Sequence, residues 1–241
     1  MNANTAVAID RTLLASHVPQ HREISSVHLT TLCKLIRAIM SYLRAFWNSP
    51  FTFWFILALP GLLIIGELLR EVDKLEHLLH PTGEFAARFL IISLMITPLM
   101  FLTNGQRWVR WLMARRRYIG VAAACYTALH IAIYLLDKGS LGPILEDLVK
   151  IGIWTGWLAS LIFIPLTVTS NDWSIARLGS NWKGLQKLAY AAALLVFTHW
   201  VLVDFKFGPA LVHFTPLLLL QIYRYVHVSN KRKERKLTAH A

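Results

Sequence analysis

Residues 118–136 read YIGVAAACYTALHIAIYLL, and Arg115, Arg116 and Arg117 stand directly before them. An α-helix needs about 20 mainly apolar residues to cross the hydrocarbon core of a bilayer, and this run is close to that length without a single charge. A cluster of arginines at one end is the usual mark of the cytoplasmic side of such a span. Within the run, His130 is costly in hydrocarbon and needs a reason to be there.

The same pattern recurs along the chain. Apolar runs of this kind cover residues 51–69, 84–103, 118–136, 150–169, 185–203 and 209–228. Short connections make neighbouring helices antiparallel. The expected fold is therefore an all-α integral membrane protein, a bundle of six transmembrane helices. Composition agrees. The 241 residues are 56% hydrophobic and only 16% charged, with mean hydropathy +0.49. A soluble domain carries about 25% charged residues. The formal net charge of +12 then reads as membrane topology, and nucleic acid is not an expected partner.

Basic residues alternate between loops. Arg11, Arg22, Lys34, Arg37 and Arg44 precede the first span. Arg107, Arg110 and Arg115–Arg117 fill the second loop, Arg177 and Lys183 the fourth, and Lys231–Lys233, Arg235 and Lys236 the tail. The other loops hold only Arg70, Lys74, Lys138 and Lys206. By the positive-inside rule both termini are cytoplasmic. Residues 1–24 read as a disordered cytoplasmic N-terminus and 229–241 as a basic cytoplasmic tail around the domain at 51–228. Over residues 25–50, Leu29, Leu32, Ile36, Ile39, Leu43 and Phe46 recur at helical spacing with Lys34, Arg37 and Arg44 between them. That is the pattern of a basic amphipathic helix lying on a membrane surface and meeting lipid, although a cytosolic extension of the first span fits too. The first long apolar run begins near Phe51, too late for an N-terminal secretory signal.

Chemistry centres on histidines. His130 lies six residues before the outer end of its span and His199 four before the end of the fifth. At a 1.5 Å rise these are depths of roughly 9 and 6 Å, on helices that run the same way. Two neutral imidazoles at one level suit the axial positions of a haem iron; the other reading is that each hydrogen-bonds a neighbouring helix. His213, early in the sixth span, matches in depth and is an alternative ligand or a partner of a haem propionate. In His80-Pro-Thr-Gly-Glu84, Thr82 is placed to cap the second span, and Glu84 and Arg88 are spaced as an i,i+4 ion pair. Arg88 or His80 could instead meet a propionate or an outer electron acceptor. Tryptophans 108, 111, 154, 157, 173 and 182 fall near span edges, as interfacial belts do. Cys33 and Cys125 form no CxxC and no zinc pattern. No GxSxG, HExxH or Gly-rich phosphate loop is present, and no flavin or nicotinamide domain.

Several phrases together resemble one family. They are His80-Pro-Thr-Gly, Ile96-Thr-Pro-Leu99, Arg116-Arg-Tyr-Ile-Gly120, Thr127-Ala-Leu-His130, Leu166-Thr-Val-Thr-Ser170, Arg177-Leu-Gly-Ser-Asn-Trp182, Leu188-Ala-Tyr190 and His199-Trp200. In this order they resemble the ferric-reductase-like transmembrane family, most closely its haem-binding membrane subunits of bacterial methionine-sulfoxide reductase systems. The resemblance implies haem b held by His130 and His199 in a multi-pass protein of the bacterial inner membrane. It implies electrons from the quinone pool or a cytoplasmic flavin reductase, with FMN or quinone as a further cofactor, delivered to a periplasmic molybdopterin enzyme. One position departs from the family. In Trp182-Lys-Gly-Leu-Gln186, glutamine stands where relatives carry a histidine, which places a second, inner haem in doubt. The alternatives to weigh are a ferric or other metal-ion reductase component and a haem-free membrane scaffold.

Overall fold

A computed structural model describes residues 20–70, 75–205 and 207–239, and all its regular structure is helical. The helices are α1 (Gln20–Asn48), α2 (Pro50–Arg70), α3 (Leu75–Leu102), α4 (Arg107–Lys138), α5 (Leu141–Asp147), α6 (Ile151–Val168), α7 (Asp172–Leu178), α8 (Ser180–Gln186), α9 (Leu188–Asp204) and α10 (Phe207–Ala239). Two compact units divide the chain at residues 56 and 57. The first holds α1, whose Leu32, Ile36, Ile39, Leu43 and Phe46 are all exposed. Helix is found where the periodicity expects it, and residues 1–19 of the expected N-terminal tail lie outside the described residues.

In the second unit α3 packs along α4, and α6 along α9; α10 lies against α3 and α9. The α3–α4 turn is tight because Asn104 and Gly105 both take left-handed backbone (φ 50° and 71°), and the Gly105 N–H returns to the Met100 carbonyl. Such a residue pair ends a helix without strain only where a side chain is absent or short and polar. The centre is filled by Leu90, Ile91 and Leu94 of α3, Ala123 of α4, Phe163 of α6, Ala192 and Ala193 of α9 and Leu217 of α10. Alanines at the crossings let helix backbones approach, the main source of packing energy where lipid is as apolar as the protein.

Five helical stretches are long and apolar enough to cross a membrane: Pro50–Arg70, Leu75–Leu102, Arg107–Lys138, Ile151–Val168 and Ser180–Asp204. The sixth expected span, in α10, falls short of that apolarity because His213, Gln221 and Arg224 interrupt it. Two of these helices start well before the expected edges, α3 at Leu75 and α4 at Arg107. α3 starts at Leu75, so Thr82 sits inside the helix instead of capping it. Its hydroxyl donates back to the Leu78 and Leu79 carbonyls at 2.9 and 2.8 Å.

One contact repairs a break in α2. Pro60 disturbs the helix, and the Tyr126 hydroxyl of α4 accepts from the Gly61 N–H while donating to the Leu57 carbonyl at 2.9 Å. Those two groups are the i and i−4 partners of one helical hydrogen bond, so the hydroxyl is inserted into the ladder. Tyr126→Phe leaves both groups short of a partner away from water. We expect a loss of about 1–3 kcal/mol, read as a lower thermal midpoint of the detergent-solubilised protein.

Candidate functional site

His130 of α4 and His199 of α9 face each other across a partly open cavity of about 1150 Å³ lined by residues of α3, α4, α5, α6 and α9. Their ring centroids are 6.4 Å apart and the ring planes cross at 84°. Each ring is held the same way. His130 Nδ1 donates to the Leu79 carbonyl at 3.0 Å, with the Thr82 hydroxyl at 3.1 Å. His199 Nδ1 donates to the Gly152 carbonyl at 2.7 Å. A carbonyl can only accept, so Nδ1 carries the proton in both, and Nε2 is left as the basic nitrogen. Neither Nε2 hydrogen-bonds any described residue.

Glycines make the approach possible. A Cβ on Gly83, four residues after Leu79, would lie 3.2 Å from His130 Cε1. On Gly156, four residues after Gly152, it would lie 2.7 Å from His199 Cε1 and Nδ1. The same device thus occurs twice: a carbonyl at position i takes the imidazole N–H, and a glycine at i+4 opens the notch that the ring fills.

The donor set fits one metal ion between two imidazoles. With metal–nitrogen bonds of about 2.1 Å and a ring nitrogen about 1.1 Å from its centroid, opposed rings have centroids about 6.4 Å apart. Carbonyl-tethered Nδ1–H groups are the usual outer support of metal-binding histidines. Among the described residues no three His, Cys, Asp or Glu side chains gather as a further metal cluster. The cavity is somewhat larger than the roughly 300–1,000 Å³ of ordinary ligand sites, so a large planar group is not excluded by space.

The other residues singled out from sequence gather at one side of this cavity. Arg88 pairs with Glu84, and its Nε donates to His213 Nε2 at 3.3 Å. His213 Nδ1 donates to the Pro209 carbonyl at 2.7 Å, so both of its nitrogens are engaged, unlike those of the facing pair. His80 Nε2 lies 3.2 Å from Asp204 Oδ2. The Trp200 ring sits between, 6.3 Å from His80 and 5.2 Å from His213. His80, Glu84, Trp200 and Asp204 line the cavity; Arg88 and His213 stand behind them.

A second polar group on the cavity wall escaped the sequence reading. Asp147 accepts from Lys150 Nζ at 2.8 Å and from the Tyr134 hydroxyl at 3.0 Å, with Lys138 Nζ at 3.2 Å. Only the i,i+3 spacing of Asp147 and Lys150 was visible in advance. The Lys150 hydrogen bond, helped by Lys138 and Tyr134 and opposed by burial, lowers the Asp147 carboxyl from 3.8 to about 2. A depressed carboxylate stabilises the fold fully above its unfolded value and loses that contribution as pH falls through its folded value. Asp147→Asn is therefore expected to lower the thermal midpoint by a constant amount above about pH 4 and by a shrinking amount toward pH 2. A difference that stays constant over the whole range would show that the charge is irrelevant.

Gln186 has a structural task. Its amide donates to the Leu166 carbonyl at 3.2 Å and lies 3.3 Å from Thr169 Oγ1, while Trp182 Nε1 donates to the Thr169 carbonyl at 2.9 Å. Together they satisfy carbonyls at the C-terminus of α6 that have no partner within their own helix.

Comparison with known proteins identifies the family. Residues 82–197 match the family model described as ferric reductase like transmembrane component. The chain is 41% identical over 156 residues to the protein-methionine-sulfoxide reductase heme-binding subunit MsrQ of Agrobacterium fabrum, covering 64% of this chain and 67% of that protein. It is 37% identical over 133 residues to the MsrQ of Brucella anthropi, covering 54% and 58%. For the MsrQ of Brucella ovis the figures are 38% over 142 residues, covering 58% and 60%. The matches thus span between somewhat over half and two thirds of the relatives' length. Five apolar helices and this kinship make it a multi-pass membrane protein, and the chain belongs to the MsrQ family of ferric-reductase-like transmembrane components.

Proposed function

We propose that this chain binds one haem b between His130 and His199 and serves as the electron-carrying membrane subunit of a methionine-sulfoxide reductase system. The observation that carries the reading is the facing imidazole pair, each Nδ1 bound to a carbonyl and each Nε2 without a hydrogen-bond partner among the described residues. When bound, the haem supplies one-electron redox chemistry. The protein's part is to fix both ring orientations, keep both imidazoles neutral and basic at Nε2, and wall the site in apolar helix. His80 pairs with Asp204 at the cavity edge, and Arg88 behind it with Glu84, so an acidic ring substituent or an incoming acceptor would engage them by displacing one of these carboxylates.

The full reading has six spans with both termini cytoplasmic in a bacterial inner membrane, α10 being the sixth, and α1 lying along the cytoplasmic surface. Electrons come from quinol or a cytoplasmic flavin reductase and leave to a periplasmic molybdopterin enzyme that repairs oxidised methionine. Gln186 spends its amide on α6, which favours a single haem. The test is a reduced-minus-oxidised spectrum with haem quantitation on purified protein, followed by rereduction with a quinol analogue or with flavin reductase and NADH. One b-type haem per chain, reduced by one of these donors, is expected. Purified protein without haem, even after supplementation during expression, would overturn the proposal and leave a scaffold role.

A further inference from the structure

The far end of the bundle from the cavity holds two arginines that pair with no acid among the described residues. Arg116 lies nine residues into α4, about 13 Å from its start, in a helix long and apolar enough to cross a membrane. Its Nε donates to the Ser93 carbonyl of α3 at 2.8 Å. On the next residue of α3, the Leu94 carbonyl accepts from Gln221 of α10 at 3.1 Å. One turn along α10, Arg224 donates to the Tyr190 hydroxyl of α9 at 2.7 Å and to Gln221 Oε1 at 3.4 Å. Adjacent carbonyls of α3 hold Arg116 of α4 and, through Gln221, Arg224 of α10. Four helices thus place two guanidinium groups in one polar cluster.

No carboxylate among the described residues pairs with either arginine. Asp172 is taken by Arg117. Glu234 is ten residues beyond Arg224 on α10, about 15 Å along the axis. The terminal nitrogens of Arg116 donate to no described residue. Two half-buried like charges repel and are poorly solvated, so the arrangement lacks its anion. A guanidinium fork fits phosphate oxygens in pairs, and basic pockets between transmembrane helices hold lipid headgroups.

We infer that Arg116 and Arg224, steadied by Gln221 and Tyr190, form a seat for a phosphate group such as that of an anionic lipid headgroup. Ser93, Gln221 and Tyr190 fix the two forks from behind and leave their outer edges for the oxygens. This site is separate from the histidine cavity and does not depend on haem. Its occupant would tie α4, α9 and α10 together at the arginine-rich end.

The test uses the full chain in detergent, titrated with dihexanoyl phosphatidylglycerol, dihexanoyl phosphatidylcholine or sodium phosphate, with the thermal midpoint as readout. Phosphatidylglycerol should raise the midpoint to saturation at lower concentration than phosphatidylcholine. Arg116→Gln and Arg224→Gln should each need about tenfold more of it, the ratio that loss of a charge-assisted hydrogen bond gives. Tyr190→Phe, which removes only a support of Arg224, should shift the titration by less and covers the case in which an arginine variant does not fold. If sodium phosphate reproduces the rise with the same arginine dependence, the seat stands and its phosphate is soluble. Equal responses to the two lipids, or responses unchanged in the variants, would overturn the inference and leave the arginines as clamps between helices.

Discussion

Replacing His199 with alanine is expected to remove the haem spectrum of the purified protein while its helical content stays near that of the wild type. In the proposed site two imidazoles share the ligation, and their geometry is set by independent tethers, Leu79 for His130 and Gly152 for His199. Loss of an outer tether alone typically costs about 10–100-fold in metal affinity, so loss of a ligand should cost more. His130→Ala should do the same. The fold should survive, because the packing centre at Leu90, Leu94, Ala123 and Ala192 does not include either ring. Absorbance with haem quantitation decides the matter, beside circular dichroism. A normal spectrum in either variant would mean that the facing pair is not the ligand pair.

Gly156→Ala tests the same site without touching a ligand. A new methyl 2.7 Å from two atoms of the His199 ring cannot be accommodated in place. The ring must move away from α6, which breaks or stretches its 2.7 Å hydrogen bond to Gly152, a residue of that same helix. Haem affinity should fall about 10–100-fold, the cost of losing an outer tether. Gly83→Ala should cost less, since its methyl would meet His130 at 3.2 Å and a shift of a few tenths of an ångström relieves it. Gly120→Ala is the control, since nothing lies within 4 Å of its added methyl. Haem titration of the apo-protein should rank the three in that order. If Gly156→Ala bound haem as tightly as Gly120→Ala, the notch would have no role in holding the ring.

Sequence carried the pairing of the two histidines further than the way their rings are held. His130 and His199 were legible because an imidazole in an apolar span is expensive and because the counted depths agreed. Their tethers were not, since a carbonyl is available on every residue and only the packing of α3 on α4 and α6 on α9 selects Leu79 and Gly152. Gly83 and Gly156 look like ordinary small residues until a ring is found against them. The Glu84–Arg88 pair followed from spacing, but the approach of His213 to it depends on α10 returning beside α3. Thr82 was misplaced as a cap because the polar phrase His80-Pro-Thr-Gly reads as a boundary. The helix continues through Pro81, and the Thr82 hydroxyl takes up carbonyls inside it. Gln186 was read for the histidine it replaces, whereas its present contacts belong to the end of α6.

The repeated carbonyl-and-glycine device also bears on the order of assembly. Each imidazole is tethered within its own hairpin, His130 by α3 in the α3–α4 pair and His199 by α6 in the α6–α9 pair. Contacts within these pairs are close in sequence or run along one interface, whereas the contacts between pairs are sparser. Each half can therefore set the tautomer and tilt of its own ring as it enters the membrane, before meeting the other. Docking then brings together two half-sites already finished, and whatever bridges them acts as the last fastening between two separately made parts.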